Sequence, residues 1–318
     1  MKMPKIAIVI PSYKVRAHIL GVIHSAGPEV DVIYVVDDQC PESSGQYVAE
    51  NCTDPRVRVL FNEQNEGVGG ATLAGFSRAA QDGADIMIKI DGDGQMDPRL
   101  IPKFIAPIVN GRADYTKGNR FYNPEDVLTM PTVRLLGNAA LSFMSKLSTG
   151  YWHVFDPTNG YLAISAKVFS LLPRQKIAKR YFFETDMLFR LNTIRAVVLD
   201  VPMVAVYGDE TSGLKIHREL GRFMVGHLRS FSKRIFYNYF LRDFGVASVQ
   251  LVSGVLAIGF GVSFGGIQWY LNAASGVDTP AGTVMIATLP IILGFQMLLS
   301  FLGYDISSTP VEPLQGRL

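Results

Sequence analysis

Three oxygen-bearing side chains alternate within the sequence KIDGDGQMDP, namely Asp91, Asp93 and Gln95. Because they directly follow an apolar run, all three can face one small volume. Carboxylate and amide oxygens suit hard cations such as Mg²⁺ and Mn²⁺, which often keep coordination places for phosphate oxygens. The motif therefore predicts a divalent metal site that also holds a nucleotide diphosphate. The alternatives are a solvated turn and an EF-hand calcium loop, and the second is weaker because the required glutamate is missing.

The elements that must position these residues alternate regularly along the first 200 residues. Short β-branched runs at 6–10, 32–36, 57–61 and 86–90 are separated by segments of helical period, including 15–26 and 71–80. This alternation predicts an α/β domain with a mainly parallel sheet covered on both faces. Ligands of such sheets bind beyond the carboxyl ends of the strands. Polar candidates follow all four runs: Pro11, Ser12 and Tyr13, then Asp37 and Asp38, then the stretch 65–70, then 91–95.

Composition excludes several classes of protein. The first 243 residues have an ordinary soluble composition and can bury a sizeable core, which excludes a disordered chain, a collagen-like chain and a small disulfide scaffold. The chain has two cysteines, Cys40 and Cys52, and no CxxC pair, so a reducing compartment is expected. The five histidines form no HxxxH or HxxE pattern, which argues against a zinc site.

The segment 244–304 carries a single formal charge, Asp278, and contains two long uncharged stretches at 246–271 and 281–304. At about 1.5 Å per residue the first stretch reaches about 39 Å, enough to cross a hydrocarbon core of about 30 Å. Pro290 interrupts the second, which membrane helices tolerate. The sequence predicts two membrane spans, with a buried hairpin of a soluble protein as the alternative.

A basic stretch precedes the first span. Residues 214–242 contain seven Lys and Arg against one acid, Glu219. The positive-inside rule therefore puts the large N-terminal domain and the short C-terminal tail in the cytoplasm. Apolar residues recur at helical spacing on one face and cations occupy another, which predicts a helix lying at the membrane surface. An amphipathic helix packed on the core with a solvated basic side is the alternative.

The order of the motifs PSY, VVDD, NEGVGGA, DGDGQ, GNR and DPTNGY resembles the inverting family-2 glycosyltransferases of GT-A fold, which have a Rossmann-like sheet. With two C-terminal spans, the chain is similar to the polyisoprenyl-phosphate glycosyltransferases. These include dolichyl-phosphate mannose synthases and GtrB-like bactoprenyl glucosyltransferases. The resemblance runs over nearly the whole chain.

The resemblance implies roles for particular residues. Nucleotide-sugar contacts are expected from Pro11, Tyr13, Asp37, Asp38, Gly67, Gly70, Asp91 and Lys215. The metal would be held by Asp93 and Gln95 with Asp91, and acceptor phosphate by Arg120 and Arg134. The acidic catalytic candidates are Asp156, as a base or a positioning carboxylate, Asp93, and one of Glu184 and Asp186, which do not share a helix face. For Gly67 and Gly70, an equal alternative to nucleotide contact is a structural role in a turn at the start of a helix. For Arg134, an equal alternative to phosphate binding is a position on a solvated helix face.

The sequence thus predicts a cytoplasmic GT-A domain at 1–213, basic amphipathic juxtamembrane helices at 214–243, two spans within 244–304 and a cytoplasmic tail at 305–318. The enzyme would transfer a hexose from a UDP-sugar to undecaprenyl phosphate at the inner face of the plasma membrane, using Mg²⁺ or Mn²⁺. Glucose is the first candidate for this hexose. The alternatives are a GDP-mannose-dependent mannosyltransferase acting on dolichyl or polyprenyl phosphate, and a catalytically silent nucleotide-sugar-binding membrane protein. No nucleic-acid partner is expected. Five glycines would allow self-association or close packing of the two spans: Gly254, Gly259, Gly261, Gly265 and Gly266.

Overall fold

The computed structural model describes residues 3–122, 132–204 and 216–318. The chain forms two compact units, Met1–Phe231 with Pro310–Leu318, and Ser232–Thr309. The strands are β1 (Ile6–Ser12), β2 (Val32–Asp37), β3 (Val57–Phe61), β4 (Ile86–Lys89), β5 (Tyr115–Asn119), β6 (Leu162–Ser165) and β7 (Val198–Pro202). The α-helices are α1 (Ile19–His24), α2 (Ser44–Asn51), α3 (Gly67–Gln81), α4 (Ile101–Val109), α5 (Thr132–Thr149), α6 (Ala166–Ser170), α7 (Phe183–Thr193), α8 (Ile216–Phe236), α9 (Val246–Ala274) and α10 (Ala281–Ser307).

The first unit contains a seven-stranded sheet in the order β3-β2-β1-β4-β6-β5-β7. β6 runs antiparallel to its neighbours β4 and β5, and the other pairs are parallel. The prediction of an α/β fold with a mainly parallel sheet is therefore confirmed. Because β6 is reversed, the segment that precedes it lies at the same sheet edge as the carboxyl ends of the other strands.

Alternate residues of the central strands pack into two separate apolar clusters. Ala7 and Val9 of β1 belong to one cluster, and Ile6, Ile8 and Ile10 belong to the other. Successive side chains of a strand point to opposite faces, so each cluster fills one face of the sheet. A fully buried aliphatic side chain of this kind contributes roughly 1.5–3 kcal/mol. The sheet is thereby a firm support for the loops at its edge.

The last nine residues return to the first unit. Asp114 is fully buried, and its carboxylate accepts the backbone N–H groups of Val197, Leu314 and Gln315 at 2.8 Å each. The Gln315 side chain donates to the carbonyls of Ile108 and Ala113 at 2.8 and 2.6 Å. The segment that follows the second long helix is thus anchored on Asp114, next to the start of β5.

The second unit contains two long apolar helices, α9 with 29 residues and α10 with 27. Each is long and apolar enough to cross a membrane. A methyl group placed on Gly261 would lie 2.5 Å from the carbonyl oxygen of Ala287, and one on Gly254 would lie 2.9 Å from that of Gly294. These glycines let the two helices approach closely, so at least two of the five packing glycines serve the hairpin itself. Self-association stays a prediction.

A buried ion pair ties the second unit together. The Arg234 guanidinium donates to both carboxylate oxygens of Asp305, at 2.6 and 3.0 Å, and the Tyr239 hydroxyl donates to the same carboxylate at 2.5 Å. Arg234 and Asp305 are 1% and 3% exposed. Arg234 is therefore an interior residue, although it is one of the seven Lys and Arg counted in the basic stretch 214–242.

The outward side of α8 carries both cations and apolar side chains. Arg222, Arg229 and Lys233 are exposed, as are Val225 and Leu228. This combination suits a helix at a membrane surface, where cations meet anionic headgroups and apolar side chains enter the acyl boundary. The membrane-surface position of this helix stays a prediction.

His227 lies on the buried side of α8. Its Nδ1 is 2.8 Å from the Ser148 hydroxyl, and its ring packs edge-on against Phe182 at 5.1 Å between centroids. Nε2 has no hydrogen-bond partner among the described residues. Burial lowers the pKa of His227 from 6.5 to about 4.

This lowered pKa predicts a loss of stability in acid. Between pH 6.5 and 4 the unfolded chain binds a proton at His227 that the folded protein does not, so stability falls by up to about 2 kcal/mol as the pH decreases through this range. His227→Gln should remove that part of the pH dependence, measured as the free energy of unfolding in urea and detergent at pH 7 and 4.5. His24→Gln, which alters an exposed histidine, is the control. A His227→Gln profile parallel to that of the wild type would contradict the prediction.

Candidate active site

Most of the polar residues predicted from the sequence meet at one edge of the sheet. The carboxyl ends of β1, β2, β4, β5 and β7 lie there, together with the loop 156–160 that leads into β6. This is the edge at which ligands of open α/β sheets bind. The candidate site therefore lies on loops that a rigid sheet supports.

The DGDGQ segment forms a tight turn directly after β4. Gly94 adopts a φ of +79°, a conformation that other residues rarely take, and the Gln95 N–H donates to Asp93 Oδ1 at 2.9 Å. Asp91 is about one-third exposed, and its Oδ1 accepts from the Lys89 ammonium at 2.6 Å. The turn thus brings Asp91, Asp93 and Gln95 to one end of β4.

The donor set at this turn suits a hard divalent cation that also binds phosphate. Among the described residues no group of three or more His, Cys, Asp or Glu is placed to hold a metal ion. Asp91, Asp93 and the amide oxygen of Gln95 would need diphosphate oxygens to complete a site for Mg²⁺ or Mn²⁺, and this site stays a prediction.

The two aspartates that end β2 have internal partners. Asp37 accepts the N–H groups of Cys40 and Gly45 at 2.7 and 2.6 Å. Asp38 accepts the N–H groups of Glu66 and Gly67, at 2.9 and 2.7 Å, at the start of α3. Both carboxylates are buried. They organise the loops around the site, and a direct nucleotide contact by either stays a prediction.

The glycines of NEGVGGA allow another part of the protein to approach. Gly67 has a φ of +82°, and a methyl group there would lie 2.7 Å from the Lys179 carbonyl oxygen. The Gly70 N–H donates to the same carbonyl at 3.0 Å. In the described structure these glycines therefore serve the start of α3 and its packing against the segment before α7.

Pro11 and Tyr13 lie at the carboxyl end of β1. Tyr13 is 45% exposed, so its ring is open to a planar partner. Ser12, between them, is fully buried, and its hydroxyl has no hydrogen-bond partner among the described residues. Lys215 and the side chain of Arg134 lie outside the described residues.

Arg120 and Asp156, predicted separately, form one ion pair. Arg120 Nε lies 2.7 Å from Asp156 Oδ2, and Nη2 lies 3.1 Å from Oδ1. Asp156 is fully buried, whereas the Arg120 side chain is one-third exposed. Asp156 also accepts from the Asn159 side chain at 3.2 Å. Because both carboxylate oxygens face the guanidinium, this arrangement suits a carboxylate that orients an arginine.

The two acidic residues of FFETDM have different surroundings. Asp186 accepts the Ala178 N–H at 2.8 Å and pairs with Arg190 at 3.0 Å. Glu184 is 8% exposed and lies 3.7 Å from the Lys89 ammonium. Burial raises the pKa of Glu184, and the nearby lysines partly offset the effect. Glu184 is thus the member of the pair that lies beside the DGDGQ turn.

Three charged residues beneath the site were not predicted from the sequence: Lys89 and Lys117, which are buried, and Asp200, which is partly buried. Burial lowers the pKa of Lys117 to about 8, and burial raises that of Asp200. One signal was available, since Lys89 follows three apolar residues in the short strand IMIK and stands two positions before Asp91. Residues two apart in a strand share a face, so Lys89 could have been paired with that carboxylate.

An apolar cavity adjoins the Arg120–Asp156 pair. It measures about 230 Å³ and is lined by Phe121, Leu135, Asn138, Ala139, Ser142, Phe143, Lys146 and Phe155. The Phe121 and Phe155 rings meet edge-on, with centroids 5.9 Å apart. The Lys146 ammonium lies 5.5 Å from the Phe155 centroid, and the Arg120 guanidinium 5.7 Å from that of Phe121. Two cations therefore flank an apolar cavity between α5 and the loops that carry the ion pair.

Comparison with known proteins identifies the family to which the chain belongs. Residues 7–172, just over half of the chain, match the family model Glycosyl transferase family 2. The chain is 32% identical over 218 residues to UDP-N-acetylglucosamine–dolichyl-phosphate N-acetylglucosaminyltransferase of Methanococcus voltae. This alignment covers 64% of this chain and 86% of the relative. It is 30% identical over 207 residues to undecaprenyl-phosphate mannosyltransferase of Micrococcus luteus, in an alignment that covers 64% of this chain and 84% of that relative.

A solved structure has the same fold. Glucosyl-3-phosphoglycerate synthase from Mycobacterium tuberculosis, in complex with phosphoglyceric acid, aligns with a TM-score of 0.53 at 21% identity, over 73% of this chain and 80% of that one. This likeness concerns the GT-A fold alone. The resemblance to polyisoprenyl-phosphate glycosyltransferases expected from the sequence is confirmed, and the chain belongs to glycosyl transferase family 2.

Proposed function

We propose that this glycosyltransferase transfers a hexose from a UDP-sugar to a polyisoprenyl phosphate at the cytoplasmic face of the plasma membrane. The observation that carries the proposal is the cation-flanked apolar cavity beside the Arg120–Asp156 pair, at the sheet edge that also bears the DGDGQ turn. A lipid phosphate is an anion joined to a hydrocarbon, and such a cavity offers a place for both parts. The relatives named for dolichyl and undecaprenyl phosphate support the same acceptor class.

On the donor side, Asp93 and Gln95 with Asp91 would hold Mg²⁺ or Mn²⁺. The ion would offset the charge that develops on the departing diphosphate. Tyr13 is exposed at the carboxyl end of β1, the strand that neighbours β4, and would stack on the nucleobase. UDP-glucose is the donor that we propose first, and UDP-N-acetylglucosamine and GDP-mannose are the competing donors.

On the acceptor side, Arg120 would bind the lipid phosphate. Asp156 orients its guanidinium through two contacts, and the planar guanidinium suits bidentate binding of a phosphate. Lys146 is the second cation at the cavity, and the phenyl rings between the two would contact the first isoprene groups. An apolar cavity of about 150 Å³ takes up benzene, so one of about 230 Å³ has room for a small hydrocarbon group.

The chemical step needs little help from a base. The second pKa of a phosphate monoester is about 6, so the attacking oxygen is largely ionised at neutral pH. This oxygen would attack the anomeric carbon of the sugar while the bond from that carbon to UDP breaks. UDP would leave with the electron pair of the broken bond, and the configuration at the anomeric carbon would be inverted. The main task of the site is to hold two anions in line. Asp156 then acts as the carboxylate that positions Arg120, not as the base.

Filling the cavity should impair use of the lipid. Ala139 lines the cavity, and its neighbour Ala140 is exposed and does not. We expect Ala139→Trp to raise KM for undecaprenyl phosphate about tenfold or more, since the indole would displace the hydrocarbon. Ala140→Trp should change KM less than twofold, and both variants should bind UDP like the wild type. Equal effects of the two substitutions would contradict the assignment of the cavity.

A donor panel tests the proposed function. Purified protein in detergent is incubated with undecaprenyl phosphate, Mn²⁺ and labelled UDP-glucose, UDP-N-acetylglucosamine or GDP-mannose in turn. The proposal predicts labelled glycolipid from UDP-glucose at the highest rate. A higher rate with GDP-mannose would favour the mannosyltransferase. Nucleotide-sugar binding without glycolipid from any donor would favour the catalytically silent binding protein.

A further inference from the structure

Two buried lysines flank the same residue of the sheet. Lys89 of β4 and Lys117 of β5 both stand opposite Leu162 of β6, and they are 1% and 0% exposed. Residues opposite one another on neighbouring strands point to the same face, so both ammonium groups reach one region. Glu184 of α7 covers that region, 3.7 Å from Lys89. A buried ammonium costs several kcal/mol unless it is paired and hydrogen-bonded, so its contacts indicate its role.

Both lysines bind the loop that carries Asp156. The Lys89 ammonium donates to the carbonyl oxygen of Gly160 at 3.2 Å, and that of Lys117 donates to the carbonyl oxygen of Asn159. Two successive carbonyls of the loop 156–160 are therefore held from below by two cations. The Asn159 side chain in turn donates to Asp156 at 3.2 Å. The position of the Arg120–Asp156 pair thus depends on where the lysines hold this loop.

Only one of the lysines also contacts the donor side. Lys89 donates to Asp91 Oδ1 at 2.6 Å, whereas no described contact joins Lys117 to the DGDGQ turn. A methyl group placed on Gly160 would lie 2.6 Å from the Lys89 ammonium and 2.8 Å from Asp91 Oδ2. The loop and the turn therefore meet at the Lys89–Asp91 pair, in a space that admits no side chain.

We propose that Lys89 is a positioning residue that fixes Asp91 and the Asp156 loop together, and that Lys117 positions the Asp156 loop alone. The interpretation of the two sides as donor and acceptor subsites rests on the proposed function, whereas the physical link between turn and loop does not. The proposal distinguishes two lysines that are equally buried. Removing Lys89 affects the turn and the loop, and removing Lys117 affects the loop only.

The first test needs no ligand. Hydrogen exchange of the backbone amides at 91–95 and 156–161 is compared in the wild-type full-length protein, Lys89→Met and Lys117→Met. Lys89→Met should speed exchange about tenfold or more in both segments, and Lys117→Met should do so only at 156–161. Lys103→Met, which alters an exposed lysine of α4, should change neither. Unchanged exchange at 91–95 in Lys89→Met, or faster exchange there in Lys117→Met, would overturn the proposal.

The second test measures the Kd of UDP with Mn²⁺. Lys89→Met should weaken binding about tenfold, and Lys117→Met less than twofold, because only Lys89 holds Asp91. In an Asp91→Asn background, Lys89→Met should add less than a twofold further loss, since its effect on the nucleotide passes through Asp91. Additive losses would overturn the proposal, because they would make Lys89 a general stabiliser of the fold.

A second variant covers the case in which Lys89→Met does not fold. Gly160→Ala keeps both charges but pushes a methyl group between Lys89 and Asp91, and it should reproduce the faster exchange in both segments. Exchange confined to 156–161 in Gly160→Ala would count against the proposal. If the wild type bound no nucleotide and made no glycolipid, the proposed function would fail, while the exchange experiment would still decide the positioning role.

Discussion

Replacing Asp93 with alanine is expected to lower kcat for sugar transfer by at least about 10³-fold, or about 4 kcal/mol of transition-state stabilisation. The reason is that Asp93 is the carboxylate of the DGDGQ turn that would hold the metal against the diphosphate, and the described residues offer no cluster of acids to replace it. Rates of glycolipid formation at saturating Mn²⁺ and donor measure the effect.

Asp97→Ala is the matched control, because this aspartate lies four residues further and accepts from the Arg99 N–H at the start of a short helical turn. Its loss should cost about 1 kcal/mol of stability and leave kcat within about twofold. If Asp93→Ala turned over within tenfold of the wild type, Asp93 would not belong to the metal site.

The second large effect is expected from the Arg120–Asp156 pair. Arg120→Ala should lower kcat/KM for undecaprenyl phosphate by about 10²- to 10³-fold, because it would remove the proposed phosphate contact and leave the buried Asp156 carboxylate without its cation. Arg120→Lys should recover only part of this loss, since lysine cannot make two parallel contacts. UDP binding, measured in parallel, should stay within about threefold if the variants are folded.

The same pair decides between the two roles left open for Asp156. If Asp156 positions Arg120, Asp156→Asn should lower activity about as much as Arg120→Ala, and the double variant should be little worse than either. If Asp156 were the base, Asp156→Asn would be the more damaging change and the losses would multiply. Single-turnover rates for the four proteins of this cycle provide the measurement.

The arrangement of the fold follows from short-range patterns. The β-branched runs correspond to β1, β2, β3 and β4, and the polar residues after them meet at one edge because parallel strands end together. The helical period at 15–26 gives only Ile19–His24, because residues 15–18 form a turn in which two N–H groups donate to the Val15 carbonyl. Local periodicity predicts an element well and its ends less well.

The partners of the charged side chains could not be predicted in the same way. The paired aspartates Asp37 and Asp38 carry no local sign that backbone N–H groups from later loops bind them. Lys89 and Lys117 were not predicted as site residues, because lysine is rarely buried and the carbonyls that hold them lie 71 and 42 positions further along the chain, respectively. Long-range contacts of this kind depend on the folded sheet and leave no periodic pattern.

The C-terminal segment is a further example. Residues 305–318 were expected as a short cytoplasmic tail, and no motif in them indicates a docking site. Leu314 and Gln315 nevertheless bind Asp114, about 200 residues away in the sequence. Asp114 becomes a buried acceptor for these N–H groups only when the sheet has formed, because its burial depends on the folded position of the start of β5.

The central claim is that a polyprenyl phosphate accepts the sugar. The most direct measurement is the mass spectrum of the product extracted into organic solvent after wild-type protein, undecaprenyl phosphate, Mn²⁺ and UDP-glucose are incubated together. The account predicts an ion heavier than undecaprenyl phosphate by one hexose residue, formed with release of UDP and absent when Mn²⁺ is chelated. If UDP-glucose, UDP-N-acetylglucosamine and GDP-mannose all left the lipid unmodified, or if the sugar were released only to water, the claim would be contradicted.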